Sequence, residues 1–228
     1  MPVWQDDAAH SSALAQLRER IPASEAPDDQ LVWFLRDRKL DVVEAEEKLR
    51  KTIEFRKEFR AETLTAGDVA SEAATGKSYV HDKRDVFGRP VLIVVAARHE
   101  IGAAPIRDSQ EYAVYLMERC VEQIEGAGTR GEAGRDAETV LGLFDLRNFS
   151  ARRNGDIEFI TFLVKLFFNI YPKRIGQVLL VDAPFVFKPV WAVIKPLLGK
   201  YSKLVRFVSA DEVKREYFTP DTLPDILQ

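Results

Sequence analysis

Thr139-Val-Leu-Gly-Leu-Phe-Asp-Leu146, then Asp156-Ile-Glu-Phe-Ile-Thr-Phe-Leu-Val-Lys-Leu-Phe-Phe-Asn-Ile-Tyr171, then Gln177-Val-Leu-Leu-Val181 decide the fold. The outer two are apolar runs of strand length. The middle one, opened by Asn154 or Asp156, is long enough for a helix. Parallel neighbours in a sheet need a connection of a dozen or more residues, so strand, long helix and strand in succession predict a βαβ crossover.

The same rhythm continues in both directions. Upstream, the turn Asp85-Val-Phe-Gly-Arg-Pro90 feeds an apolar run at 91–97. Asp108, with Glu111 three residues on, predicts a capped helix to about residue 125. Downstream, a helix over 189–198 precedes a short strand at 204–208. The first 75 residues read as helices: Asp28 before Leu31, Val32, Phe34 and Leu35, then Asp41 and Glu44 opening a helix with Val42, Ala45, Leu49 and Ile53 on one stripe. The fold class is α/β with a mostly parallel sheet, divided into a helical N-terminal subdomain (1–76) and a second domain (77–228).

With 228 residues, 46% of them apolar and 30% charged, the chain is a globular protein large enough for one good core. No apolar run approaches the roughly 18 residues of a spanning helix. The opening residues show neither the basic nor the apolar part of a signal peptide. The net charge of −3 argues against a strongly basic nucleic-acid binder, but it hides an asymmetry. Residues 151–228 hold 12 lysines and arginines against 8 acids, and residues 160–208 hold eight against Asp182 alone, with nine of the 23 aromatics. A basic, aromatic block in an acidic protein suggests an anionic partner.

Catalytic motifs fail on context. Gly126-Ala-Gly-Thr-Arg-Gly131 follows a helix and precedes a strand, the reverse of a dinucleotide-binding turn. Thr75-Gly-Lys-Ser78 lacks the first glycine of a phosphate loop, since that position is Ser71. His10, His81 and His99 are scattered and there is no Cys/His spacing, so no metal site is expected. Cys120 reads as a core or boundary residue, and Asp145 and Asp182 as strand-end caps.

Two segments are unusual. The helix 156–171 is apolar nearly all round, which suits either a central core helix or the wall of an apolar cavity. In Phe185-Val-Phe-Lys-Pro-Val-Trp-Ala-Val-Ile-Lys-Pro-Leu-Leu198, Pro189 suits the first helical position. Phe187, Trp191, Ile194 and Leu198 share one face, Lys188 and Lys195 a neighbouring one, and Pro196 should end or kink the helix. It reads as an interfacial helix, a lid or an ordinary amphipathic helix.

Taken in order, several motifs resemble the CRAL-TRIO family of lipid-transfer proteins. They are Phe34-Leu-Arg-Asp-Arg-Lys-Leu-Asp-Val42, Lys48-Leu-Arg-Lys-Thr-Ile-Glu-Phe-Arg-Lys-Glu-Phe59, Asp85-Val-Phe-Gly-Arg-Pro-Val91, Tyr171-Pro172, Val181-Asp-Ala-Pro-Phe185, and Trp191 with Lys195-Pro-Leu-Leu198. The resemblance implies a non-enzymatic, cofactor-free carrier, a monomer, with an apolar cavity and a mobile helical gate at roughly 185–200. It places Phe162, Leu166, Phe168, Tyr171, Phe185, Phe187, Trp191 and Ile194 at the cavity. Lys173, Arg174, Lys188, Lys195, Lys200, Lys203 and Arg206 fall to headgroup or membrane binding.

The stretch 204–224 looks most like the plastid branch of plants and algae. That likeness implies a chloroplast protein, peripheral on envelope or thylakoid membranes, whose transit peptide lies outside this sequence. The implied ligands are phosphatidic acid, phosphoinositides or a carotenoid. Phosphatidylinositol-transferring members carry an acid where this chain has Lys173, and Lys203 stands beside the position of their late lysine, which puts inositol-lipid exchange in doubt. Tocopherol-carrier-like members hold phosphoinositides with basic residues near Arg174 and Lys200 or Lys203. A lipid-gated sensor or adaptor for a protein partner is the alternative function.

Overall fold

The computed structural model describes residues 7–125 and 138–228, so the Gly126–Gly131 motif lies outside the described residues. The chain opens with α1 (Ala8–Arg20), α2 (Asp28–Asp37) and α3 (Val42–Glu58). Asp41 caps α3 by accepting the Glu44 N–H at 2.9 Å. The expected reciprocal bond from Glu44 does not form, because the Asp41 N–H is already donated to the Arg38 carbonyl at 3.1 Å. Leu17, Ile21, Leu31, Leu35, Ala45 and Leu49 close a small core among the three helices. Beyond Ile53, α3 changes partners: Phe55 and Phe59 belong to the main core, so one helix serves both parts of the molecule.

The rest runs α4 (Ala70–Ala74), β1 (Ser78–Val80), β2 (Val91–Val95), α5 (Ile106–Glu125), β3 (Val140–Asp145), α6 (Ala151–Asn154), α7 (Ile157–Lys165), β4 (Ile175–Val181), α8 (Lys188–Leu198), β5 (Val205–Val208) and α9 (Ala210–Tyr217). The sheet order is β1-β2-β3-β4-β5, with only the β1–β2 pair antiparallel. Neither β1 nor α9 is evident from apolar periodicity. The first is three residues long, and the second is marked by a Ser209–Glu212 capping box. In the turn before β2, the Asp85 carboxylate accepts from the Phe87 N–H, the Arg89 N–H and Arg89 Nε, while Gly88 takes φ 77°, a conformation that favours glycine.

Because strands in sequence order joined by right-handed crossovers keep their helices on one side, α5, α7 and α8 share a face of the sheet. Strand residues alternate accordingly. Leu92, Val94, Phe144, Val178, Leu180 and Val205 point to those helices, whereas Val91, Ile93, Leu141, Leu143, Leu179, Val181 and Val208 point to α9 and the C-terminal segment.

Three sequence expectations are corrected. The α5 helix starts at Ile106, not at an Asp108 cap; Asp108 lies in its first turn, and Glu111 accepts from Arg107 Nε at 3.0 Å. The helix expected over 156–171 is α-helical only to Lys165, and Leu166–Ile170 is a π turn closed by the Tyr171 N–H donating to the Leu166 carbonyl at 3.0 Å. Pro196 does not end α8. It stands in the last turn, where its missing N–H costs one terminal bond, and the helix stops at Gly199, which takes φ 49° and donates to the Pro196 carbonyl.

Candidate ligand cavity

A cavity of about 130 Å³ lies between the sheet and the helices on this face. Its floor is Val94, Phe144, Val178, Leu180 and Val205. Its wall is Phe159, Ile160, Leu163, Val164, Phe167 and Phe168, from α7 and the π turn. Phe187, Trp191, Ile194 and Leu198 form the cover, and Ala96, His99, Leu146, Phe149 and Asn154 the end nearest the loops after β2 and β3.

The wall explains why α7 is apolar all round. Opposite its cavity strip, Phe162 packs on Phe55 and Phe59, ring centroids 6.0 and 5.3 Å away, with Leu166 fully buried behind it. The helix is both a core helix and a cavity wall.

The cover is held by aromatic contacts. Phe187 stands edge-on to Phe149 at 5.3 Å, and Trp191 edge-on to Phe207 at 5.1 Å. Tyr201, beyond the end of α8, stacks on Phe168. Among the described residues, no side chain from 185 to 204 makes an ion pair or a side-chain hydrogen bond. Dispersion and area burial alone hold α8 down, and these are individually weak. The outer side of this segment is greasy and basic: Phe185 is 78% exposed, Val186, Val193 and Leu197 about half exposed, and Lys188, Lys195, Lys200 and Lys203 exposed. Lys188 Nζ lies 4.3 Å from the Phe185 ring centre.

Of the eight residues expected at the cavity, Phe168, Phe187, Trp191 and Ile194 line it. Phe162 and Leu166 face the opposite side of the wall, and Phe185 points to solvent. Tyr171 is buried elsewhere, its hydroxyl donating to Glu118, which is also bound by Arg56 of α3. Burial and the neighbouring Glu118 charge push the Tyr171 phenol far above its ordinary pKa. This trio ties α3, α5 and the Tyr171-Pro172 corner together.

The seven basic residues divide similarly. Lys188, Lys195, Lys200 and Lys203 decorate the cover and the segment after it. Lys173 instead lies 3.4 Å from Asp37, and the Arg174 guanidinium rests on Trp33 at 3.6 Å. Arg206 points to the other face of the sheet, donating to Glu216 at 3.1 Å and to the Tyr217 hydroxyl at 2.7 Å. Alternation along β5 explains it: Val205 and Phe207 take the cavity side, so Arg206 must take the other.

Sequence reasoning missed the strand residues of the floor and the polar end, His99 and Asn154. It also missed the buried Glu72–Lys77–Ser109 cluster, in which Lys77 donates to Glu72 and, at 2.8 Å, to Ser109, whose hydroxyl donates to Glu72 at 2.7 Å. That cluster accounts for Lys77 of the failed phosphate-loop motif. Asp145 and Asp182 are occupied structurally, the first by Arg147 and the second by the Ala210 N–H. Among the described residues no cluster of His, Cys, Asp or Glu could hold a metal ion, and no helix is long and apolar enough to cross a membrane.

Comparison with known proteins places this architecture. The chain is similar to the crystal structure of Sfh5, with a TM-score of 0.68 at 13% identity, over 94% of this chain and 85% of that one. It is 26% identical over 219 residues to a CRAL-TRIO domain-containing protein of Schizosaccharomyces pombe, covering 86% of this chain and 46% of that protein. It is also 26% identical over 181 residues to the phosphatidylinositol transfer protein CSR1 of Eremothecium gossypii, covering 74% of this chain and 39% of that protein. The chain thus spans less than half the length of the last two relatives. The family model for the CRAL/TRIO domain matches residues 73–227, and the chain belongs to that family.

Proposed function

We propose that this protein binds a hydrophobic ligand in the cavity beneath α8 and carries it between membranes, docking on anionic bilayers through the outer side of α8. The observation that carries the reading is the pairing of an apolar cavity with a cover that, among the described residues, no ion pair or side-chain hydrogen bond secures. The phosphatidylinositol transfer named for CSR1 supports it. At about 130 Å³ the closed cavity is the size of one that holds a benzene ring, so any lipid must displace α8 and expand it. Phe185, Val186, Val193 and Leu197 supply apolar anchors and the four lysines a cationic rim. Each lysine near an anionic leaflet adds roughly 1 kcal/mol.

The cargo candidates are phosphatidic acid, a phosphoinositide or a carotenoid-like lipophile. Native mass spectrometry with an absorption spectrum of the purified protein identifies which is held. Vesicle-to-vesicle transfer is then the deciding assay: transfer supports the carrier, and binding without transfer favours the sensor or adaptor role. Flotation should depend on phosphatidic acid or phosphoinositide content, and equal binding to neutral and anionic vesicles at low salt removes the docking part. The resemblance of residues 204–224 to the plastid branch extends the proposal to residence in the chloroplast. Detection of the protein in another cell fraction alone defeats that extension.

A further inference from the structure

The cavity is apolar except at one end. There, His99 is the one titratable side chain among the described lining residues, and Asn154 the one other polar side chain. Asn154 is fully engaged: its Oδ1 accepts the Ser150 N–H at 2.7 Å, and its Nδ2 donates to the carbonyls of His99 at 2.7 Å and Ala97 at 3.3 Å. His99 is not. Its ring stacks on Phe159, centroids 4.8 Å apart at 24°, and both ring nitrogens are buried with no hydrogen-bond partner.

The surroundings define what could pair with it. Asp156 Oδ2 stands 3.5 Å from Nε2, beyond good hydrogen-bonding distance, while Oδ1 of the same carboxylate accepts the Phe159 N–H at 3.0 Å. Burial, with the charge of Lys77 behind it, holds the imidazole below its ordinary pKa, so it is neutral near pH 7. A carboxylate beside Nε2 favours the tautomer with its hydrogen there, which leaves Nδ1 as a bare acceptor. A phosphate at this end would face the Asp156 carboxylate, and Lys77, the cation behind the ring, is already bound to Glu72 and Ser109. A carbonyl oxygen offers Nδ1 no hydrogen. A hydroxyl does.

We propose that His99 is the polar anchor of the cavity and that it selects an uncharged lipophile ending in a hydroxyl group, held by an O–H···N bond to the imidazole. This rests on the cavity being the ligand site. It separates two modes of binding: a lipophilic alcohol seated with its polar end deep at His99, and a phospholipid whose charged head stays at the lysine rim.

The test uses the fluorescence of cis-parinaryl alcohol, its methyl ether, and a phosphatidic acid bearing a parinaroyl chain, each titrated into the full chain. The ether keeps the shape and loses the donor. Wild-type protein should bind the alcohol at least about tenfold tighter than the ether. His99→Phe should bind both equally, and His99→Gln, which retains a hydrogen-bonding group, should recover part of the difference. Thermal melts identify a variant that fails to fold, and the wild-type alcohol-to-ether ratio stands without either. Equal wild-type affinity for the two probes overturns the anchor while leaving the cavity reading intact. So does tighter binding of the phosphatidic acid that is lost with His99→Phe. No binding of any probe overturns both.

Discussion

Tyr201 lies flat on Phe168, with ring centroids 4.8 Å apart and planes 18° apart, so the chain leaving α8 is pinned to the π turn of the cavity wall. A stacked aromatic pair contributes about 0.5–1.5 kcal/mol beyond its buried area. Tyr201→Ala should therefore raise the open population of the gate roughly 2- to 10-fold. Hydrogen exchange over 188–198 reads this directly, with β2 and β3 as internal controls. Unchanged exchange there would mean that the stack does not hold the gate.

Phe185 is the most exposed large apolar side chain among the described residues, with Lys188 Nζ over its ring. Burying such a ring contributes about 1.5–3 kcal/mol. Phe185→Ser should weaken vesicle binding by roughly one to two orders of magnitude, leaving the melting temperature unchanged. Replacing Lys188, Lys195, Lys200 and Lys203 together should flatten the salt dependence of flotation. Replacing Arg206, which pairs with Glu216 on the sheet face away from the cavity, should not.

The Arg56–Glu118–Tyr171 trio predicts a stability effect far from the cavity. Arg56→Met strands the Glu118 carboxylate in the core, at a cost of about 3–5 kcal/mol. Tyr171→Phe removes one bond while Arg56 remains, at about 1 kcal/mol. Urea denaturation separates the two values, and similar losses for both would disprove the assigned order.

Asp37 is one carboxylate whose share of the acid stability can be traced. Burial alone would raise its pKa, but the Lys48 bond at 2.8 Å, with the charges of Lys48, Arg38 and Lys173, outweighs that and holds it below the ordinary carboxylate value. Its folded pKa is depressed, so its contribution is present above about pH 4, the unfolded value, and is lost as pH falls through the folded one. Wild type and Asp37→Asn should differ in stability at neutral pH and converge in acid below about pH 4. A gap that persists below pH 2 would place the effect in packing, not charge.

Cys120 is fully buried, and burial pushes its thiol up to about 12. At pH 8 it should resist thiol reagents in the native protein and react at once in denaturant. Fast native labelling would show that α5 opens readily.

The parallel sheet was legible because its strands are short apolar runs separated by capped helices. The cavity side chains were only half legible, for a physical reason. A helix such as α7 with no polar stripe carries no mark of which side faces the cavity, so Phe162 and Leu166 cannot be told from Leu163 and Phe167. The floor strands are buried on both faces, which removes the alternation that would single out Phe144 or Val178. For the basic residues the missing knowledge was long-range: Lys173 is spoken for by Asp37, 136 positions earlier. His99 gave no local signal at all.

The one-sided crossovers have a consequence for how this molecule can work. The side of the sheet that meets α9 is sealed by interlocked side chains, with Tyr217 bridging Gln177 and Arg206, and it contributes nothing to the cavity. The sheet is thus a bulkhead between a compartment packed solid and one that holds the cavity. On the proposed function, lifting the cover opens the front compartment and leaves the packing behind the bulkhead in place. The proposed carrier would need that separation, and here it follows from strand order.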